Sequence, residues 1–199
     1  IKNDSMALDL GDVNSALDAI DDKTDWGYVL TNGSPSVDHA AILTLTPITG
    51  LKVNASYATG DDYGTTAGEG YAFSGSYAVG EIATVGAGKM YNADDSEAVI
   101  MNVSGSAGPI GLAAEVYTDT TAAGVDTDTT TMSATYSIDS YTFGVETMKA
   151  ESAGTVSSDE LTWGIHQTVA PGLVAFAEMT SDDKTASEKT TAIGLTMKF

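Results

Sequence analysis

Along most of this chain, apolar and polar residues alternate one by one, the signature of a half-buried β-strand. The last segment shows it plainly. In Thr190-Thr191-Ala192-Ile193-Gly194-Leu195-Thr196-Met197-Lys198-Phe199, a period of two puts Ile193, Leu195, Met197 and Phe199 on one face, with Ala192, Gly194, Thr196 and Lys198 opposite. The pattern predicts twelve strands: Ser5 to Leu10, Ala40 to Thr46, Leu51 to Thr59, Tyr71 to Val79, Ile82 to Tyr91, Ala98 to Ala107, Ile110 to Thr118, Thr129 to Ile138, Tyr141 to Lys149, Glu160 to Val169, Leu173 to Thr180 and Lys189 to Phe199.

The connections alternate too. Pro47-Ile48-Thr49-Gly50, Gly80-Glu81, Gly108-Pro109, Asp139-Ser140 and Ala170-Pro171-Gly172 carry the chemistry of tight turns. Between them fall longer loops rich in Asp, Thr, Gly and Ala. A soluble sandwich has no reason to keep short turns at one end of the sheet and long loops at the other, whereas a transmembrane barrel does so routinely.

Fixing each register from the apolar residues alone sends the strand charges to the polar face. Leu51, Val53, Ala55 and Tyr57 oppose Lys52, Asn54 and Ser56. Ile110, Leu112, Ala114 and Val116 oppose Glu115; Tyr141, Phe143 and Val145 oppose Glu146; Leu161, Trp163, Ile165 and Val169 oppose Thr162, Gly164, His166 and Thr168. A lysine facing mid-membrane costs about 2 to 4 kcal/mol, so a barrel must sort its charges this way. Two segments, Ile82 to Tyr91 and Leu173 to Thr180, carry small or mixed residues on both faces and leave their register open. Tyr57, Tyr71, Tyr91, Tyr117, Tyr141, Phe176 and Phe199 fall near segment ends, where the aromatic girdles of a membrane barrel belong. The expected fold is an all-β antiparallel transmembrane barrel.

Composition narrows the function. The chain has 8 Lys+Arg against 28 Asp+Glu, a formal charge of -20, and no arginine. Such a surface repels phosphates, which excludes a nucleic-acid partner. Regular alternation with 42% hydrophobic residues argues against acid-rich disorder. No run of 18 apolar residues offers a transmembrane helix. The lack of cysteine says nothing about compartment. The chain opens at Ile1-Lys2-Asn3-Asp4 without an export signal, so either a signal has been removed or the chain is a fragment.

One connection departs from the rhythm. Gly11 to His39 is a long stretch, and long irregular segments inside compact folds are usually functional or disordered. Within it, Val13, Ala16, Leu17 and Ile20 have helical spacing, with Asp12 or Asn14 available as a cap, so the residues from Asp12 to Ile20 predict a short helix with one apolar side. Asp12, Asp18, Asp21, Asp22 and Asp25 give this connection a strongly negative character, relieved only by Lys23.

The passage Met6-Ala7-Leu8-Asp9-Leu10-Gly11-Asp12-Val13-Asn14-Ser15-Ala16 resembles the strand-to-constriction-loop passage of general porins of Gram-negative bacteria, particularly the alphaproteobacterial type. The resemblance implies a sixteen-stranded barrel of which twelve strands are present, the first four lacking, with Ile1 to Asp4 the remnant of the turn before the fifth. It implies that 1–199 is one barrel domain, with 11–39 a constriction loop folded into the lumen. It further implies an outer-membrane location among lipids, a homotrimer, and Phe199 as an assembly signal. Porins commonly face their acidic loop with an arginine cluster, and this chain has no arginine.

The expected activity is passive diffusion of ions and small hydrophilic solutes, with no chemical step. Asp12, Asp18, Asp21, Asp22, Lys23 and Asp25 would line the constriction, and Asp9, Lys52, Glu115, Glu146, His166 and Lys198 the lumen wall. This charge placement predicts a preference for cations. No catalytic motif competes: His39 and His166 are the only histidines, and Gly86-Ala87-Gly88-Lys89 lacks the earlier glycine and the Ser/Thr of a phosphate loop. No cofactor is expected; Asp61-Asp62 and the pair Asp126 and Asp128 could bind calcium weakly, without the glycine and glutamate of a calcium loop. Two alternatives share the strand pattern, a twelve-stranded autotransporter-type barrel and a secreted β-rich structural or adhesive protein. Deletion of Phe199 is expected to impair membrane insertion of the intact chain, measured as its recovery in the membrane fraction; normal insertion would count against its role as an assembly signal.

Overall fold

The computed structural model describes residues 2–3, 5–21, 24, 39–58, 70–183 and 189–197. It is a single antiparallel sheet whose strands follow one another in chain order: β1 (Met6–Val13), β2 (His39–Ile48), β3 (Leu51–Ala58), β4 (Gly70–Val79), β5 (Ala83–Tyr91), β6 (Glu97–Ala107), β7 (Ile110–Thr120), β8 (Asp126–Ile138), β9 (Tyr141–Ser152), β10 (Thr155–Ala170), β11 (Leu173–Asp182) and β12 (Lys189–Met197). All twelve expected strands are present. Lys198 and Phe199 lie outside the described residues.

The order of connections explains the meander. At one end, β2–β3, β4–β5, β6–β7, β8–β9 and β10–β11 are joined by two or three residues, and each turn holds one residue at positive φ: Gly50, Gly80, Gly108, Asp139 or Gly172. An Asp tolerates this left-handed conformation because its short polar side chain bonds locally. The opposite end carries the longer loops, with one exception. Between β9 and β10 the expected loop is absent; both strands run on to a two-residue turn at Ala153 (φ 48) and Gly154 (φ 76). Thr and Ser along 152–158 suit extended backbone as well as loop, so the strands continue where polarity alone suggested a loop.

Burial is inverted relative to a soluble protein. On one face Asn54 (0% exposed), Glu146 (1%) and Thr162 (0%) are enclosed, along with Ser56, Ser74, Asn102, Glu115, Thr131, Glu178 and Thr180. The other face leaves Ile193 (81%) and Leu195 (69%) bare, with Phe73, Met101, Leu112, Met132 and Trp163 also exposed. We call the first the inner face. Side chains on it bond across strands in register: Thr44 Oγ1 donates to Asn54 Oδ1 at 3.0 Å, Asn54 Nδ2 to Ser74 Oγ at 3.0 Å, and the hydroxyls of Thr162 and Thr180 meet at 2.7 Å. Apolar residues turned outward over so large an area mark a surface solvated by hydrocarbon.

Pairing settles the two open registers. Thr84, Gly86, Gly88 and Met90 of β5 share the inner face, because Gly86 pairs with Asn102 and Gly88 with Ile100. On β11, Thr180 pairs with Thr162 and Glu178 with Gly164, which turns Val174, Phe176, Glu178 and Thr180 inward. Charged residues on the outward face sit at the long-loop end. There Lys89 is paired with Glu97 at 2.7 Å, and its Nζ lies 4.6 Å from the Tyr91 ring centroid.

The aromatic residues divide. Tyr57 and Tyr71 are exposed on the outward face, and Tyr71 stacks on Tyr91 with centroids 4.9 Å apart; Tyr141 is exposed outward at the short-turn end. These are girdle positions. Tyr117 and Phe176 are not: Tyr117 pairs with Ile100 and packs on the inner cluster, and Phe176 faces His166 with centroids 6.2 Å apart. Nearness to a strand end says nothing about face, and in both cases parity with an inward glutamate decides.

Replacing outward Leu195 with Lys is expected to destabilise the membrane-inserted sheet by about 2 to 4 kcal/mol, while replacing inward Thr196 with Lys costs less than about 1 kcal/mol. Urea titration of both variants refolded into lipid vesicles measures the difference. Equal stabilities would contradict the face assignment.

Candidate functional site

The site is built where the chain after β1 crosses the inner face. β1 runs further than its hydrophobic pattern suggests, through a bulge between Leu10 and Val13 where Gly11 adopts φ 107. That extension consumes Asp12 and Val13, and the expected helix does not form among the described residues; 16–20 is a series of turns. The spacing is realised as a single helical turn, with Asp21 N–H donating to Leu17 O at 3.2 Å and Ile20 N–H to the same oxygen at 2.9 Å. Ser15 Oγ accepts from Asp18 N–H at 3.3 Å, and Asn14 Nδ2 bonds Asp18 Oδ2. Such local side-chain bonds favour turns, and so short a segment cannot repay helix nucleation.

The apolar stripe still finds its place. Ala16, Leu17 and Ile20 are buried on the inner face against Ala72 of β4, Met90 of β5 and Ala98 and Ile100 of β6, with Tyr117 of β7 alongside. This is an apolar seat in a largely polar wall. Gly88 makes room for it: a Cβ there would lie 3.2 Å from Ile20 Cδ1 and 2.9 Å from Phe73 O. Two polar contacts fasten the segment. Ala16 N–H donates to Ser56 Oγ at 2.7 Å, and Asn102 Nδ2 donates to the Ile20 carbonyl.

The points where the segment is fastened share their height with a row of carboxylates, and the apolar seat lies two to four residues nearer the long loops. Counting from the short turns, Ser56 is the sixth residue of β3, Gly88 of β5, Glu115 of β7, Glu146 of β9 and Glu178 of β11. All five face inward. The segment therefore rests on the wall over β3 to β6, and three glutamates continue the same level over β7 to β11. Towards the short turns lies a recess of about 440 Å³ lined by hydroxyls and small residues, among them Thr24, Thr84, Ser104, Ser106, Ser133 and Thr135. Towards the long loops the inner face carries Asp119, Glu160 and Asp182.

The expected site residues are distributed as follows. Asp9 and Lys52 are on the inner face, Lys52 exposed and only the second residue after its short turn. Glu115 and Glu146 stand in the carboxylate row, and His166 faces Glu178, its Nε2 at 2.5 Å from Glu178 Oε1. Asp18 is half-buried in the segment. Asp21, expected to line open lumen, is instead 5% exposed, because its turn is pressed onto the wall by Leu17 and Ile20. Asp12 lies within β1; its side chain, and Asp22, Lys23, Asp25 and Lys198, lie outside the described residues, as do Asp61 and Asp62. Asp126 and Asp128 accept hydrogen bonds from Thr120 and Thr118 at 2.8 and 2.7 Å.

The sequence pattern places Ser56 on the polar face and offers Gly88 only within a rejected phosphate-loop fragment, and it points to neither Asn102 nor Glu178. Glu178 carried a signal: it stands six residues into its strand after a short turn, as Glu115 and Glu146 do. Ser56 and Asn102 are ordinary polar-face residues until the segment above them is placed.

Comparison with known proteins agrees with this geometry. A family model described as Gram-negative porin matches residues 1–196. Among solved structures, a double mutant of Rh. blastica porin superposes with a TM-score of 0.78 at 14% identity, covering 100% of this chain and 75% of that one. A porin refined at 1.8 Å resolution superposes with a TM-score of 0.68 at 17% identity, covering 96% of this chain and 73% of that one. No curated protein matches the sequence. The inverted sheet and the family match together place the chain in the bacterial outer membrane as the wall of a diffusion channel, without a chemical step: it belongs to the Gram-negative porins.

Proposed function

We propose that the segment from Asn14 to Asp21 narrows this channel and that the lumen prefers cations. The observation that carries the reading is the common height of the residues that fasten the segment, Ser56, Gly88 and Asn102, and the glutamate row. A segment laid on one arc of the wall displaces water from the lumen at that level, and solutes passing it must pass Glu115, Glu146 and Glu178.

The charge balance supports the sign. Among the described residues the inner face carries Asp9, Glu115, Asp119, Glu146, Glu160, Glu178 and Asp182, and the segment adds Asp18 and the enclosed Asp21; Lys52, His166 and Lys2, bridged to inward Ala7, are the basic groups opposing them. His166 offsets Glu178 only when its imidazole is protonated. Fixed charges inside a narrow, low-dielectric wall are screened less than on an open surface, so cations are concentrated and anions depleted. Ions and small hydrophilic solutes are the expected cargo. The family's association as trimers extends to this chain, with small outward residues such as Gly75, Ala83 and Ala87 permitting close approach of a second barrel.

In planar bilayers under a salt gradient, the assembled protein is expected to show a cation-selective reversal potential. The selectivity should weaken toward 1 M salt, where the Debye length falls from about 8 Å to about 3 Å. The triple change Glu115→Gln, Glu146→Gln and Glu178→Gln should reduce the cation-to-anion permeability ratio severalfold while leaving the channel open. An anion-selective potential, or an unchanged ratio in the triple variant, would overturn the reading.

A further inference from the structure

We propose that Asn102, oriented by the missing side chain at Gly86, is the latch that holds the constricting segment in register on the wall. The inference rests on the reading of that segment as the constriction and names what fixes its position.

Apolar contact alone does not fix a register. Ala16, Leu17 and Ile20 meet a seat of small and flexible residues, Ala72, Ala98 and Met90 with Ile100, and burial of apolar area carries no direction. Hydrogen bonds supply the direction. At the start of the segment Ser56 Oγ accepts from Ala16 N–H, and at its end Asn102 Nδ2 donates to the carbonyl of Ile20, whose residue is 1% exposed. A backbone carbonyl enclosed to that degree requires a donor. Asn102 spans the wall-to-segment gap from β6 to supply one.

Its orientation has two causes. On one side Gly86 leaves a void: a Cβ at that position would lie 2.6 Å from Asn102 Oδ1 and 3.3 Å from its Cγ. The amide oxygen occupies the space that any other residue would fill. On the other side Glu115 Oε2 lies 3.5 Å from Asn102 Nδ2, so the NH₂ end meets two acceptors, a carbonyl and a carboxylate. Turning the amide over would press its oxygen against both. Void and acceptors therefore select one orientation, the one that reaches Ile20. Asn102 also ties the end of the segment to the first glutamate of the row, so it positions the segment relative to the charges that select ions.

Gly86 and Asn102 give two independent ways to release the latch. Asn102→Leu keeps the volume and removes the donor. Gly86→Ala leaves Asn102 in the sequence but forces its amide aside; Gly86 has an ordinary strand φ, and the crowded atom is the end of a side chain, so the strand itself accommodates the methyl. The full chain and both variants are reconstituted in planar bilayers for single-channel recording, with assembly checked by migration of unheated samples on gels.

Both variants should assemble normally and enter a second conductance level about five times more often than the parent, the factor one ordinary hydrogen bond is worth. The Asn102→Leu, Gly86→Ala double variant should equal either single one, since both remove the same bond. If the parent conducts at one level and both variants match it in level and noise, the latch is refuted while the channel reading stands. If Asn102→Leu alters the recordings and Gly86→Ala does not, the orienting role of Gly86 is refuted. A parent that fails to conduct or to select cations strikes at the constriction reading itself, not at the latch.

Discussion

The structure depends on one constraint: backbone amides facing hydrocarbon have no water to bond, so every strand must satisfy its neighbour. Each unpaired polar group in lipid costs several kcal/mol, and the sheet answers with continuous antiparallel ladders from β1 to β12 among the described residues. Once the backbone is paired along the sheet, side chains are the only variable. They must alternate, because successive Cβ atoms point to opposite faces and the two faces meet different solvents.

Function follows from what that alternation leaves inside. An inner face of Ser, Thr and Asn with cross-strand bonds is a wetted wall, and its polar groups need no hydrophobic core to hold them. Against such a wall a polar loop would have no reason to stay. The chain solves this locally: Ala72, Met90, Ala98 and Ile100 break the polar pattern on adjacent strands and form a small apolar seat. Segment 16–20 brings the matching apolar residues. The remaining arc keeps its glutamates level with Ser56, Gly88 and Asn102, where the segment is fastened, so one stretch of the wall carries both a steric and an electrostatic filter.

Strand number, the short-turn end and the facing of Glu115, Glu146 and His166 were legible in the sequence because large apolar residues on one parity fix a register unambiguously. β5 and β11 were not. Ala83, Ala87, Ala175 and Ala177 turn outward and carry too little apolar area to outweigh Met90 or Phe176 turned inward, so only pairing decides. The helical spacing from Val13 to Ile20 correctly named Ala16, Leu17 and Ile20 as residues that pack together, but Val13 closes β1, outside that cluster, and the backbone is turns and not a helix. Burial of the stripe is a tertiary fact, whereas the conformation was settled by the continuation of β1 through its bulge and by Ser15 and Asn14 bonding locally. Tyr117 and Phe176 were assigned to girdles by position along the strand, which does not encode face.

The polar face meets water and the apolar face meets lipid, and the chain invites a direct measurement of this because it contains no cysteine. Thr135 and Tyr136 are adjacent on β8, the first turned inward and the second exposed on the outward face. Single cysteines placed at each position, in the assembled protein within membranes, can be tested with a charged, water-soluble thiol reagent. Thr135→Cys is expected to label rapidly and Tyr136→Cys to be protected by lipid; equal labelling of the two, or the reverse order, would mean that the faces are wrongly assigned.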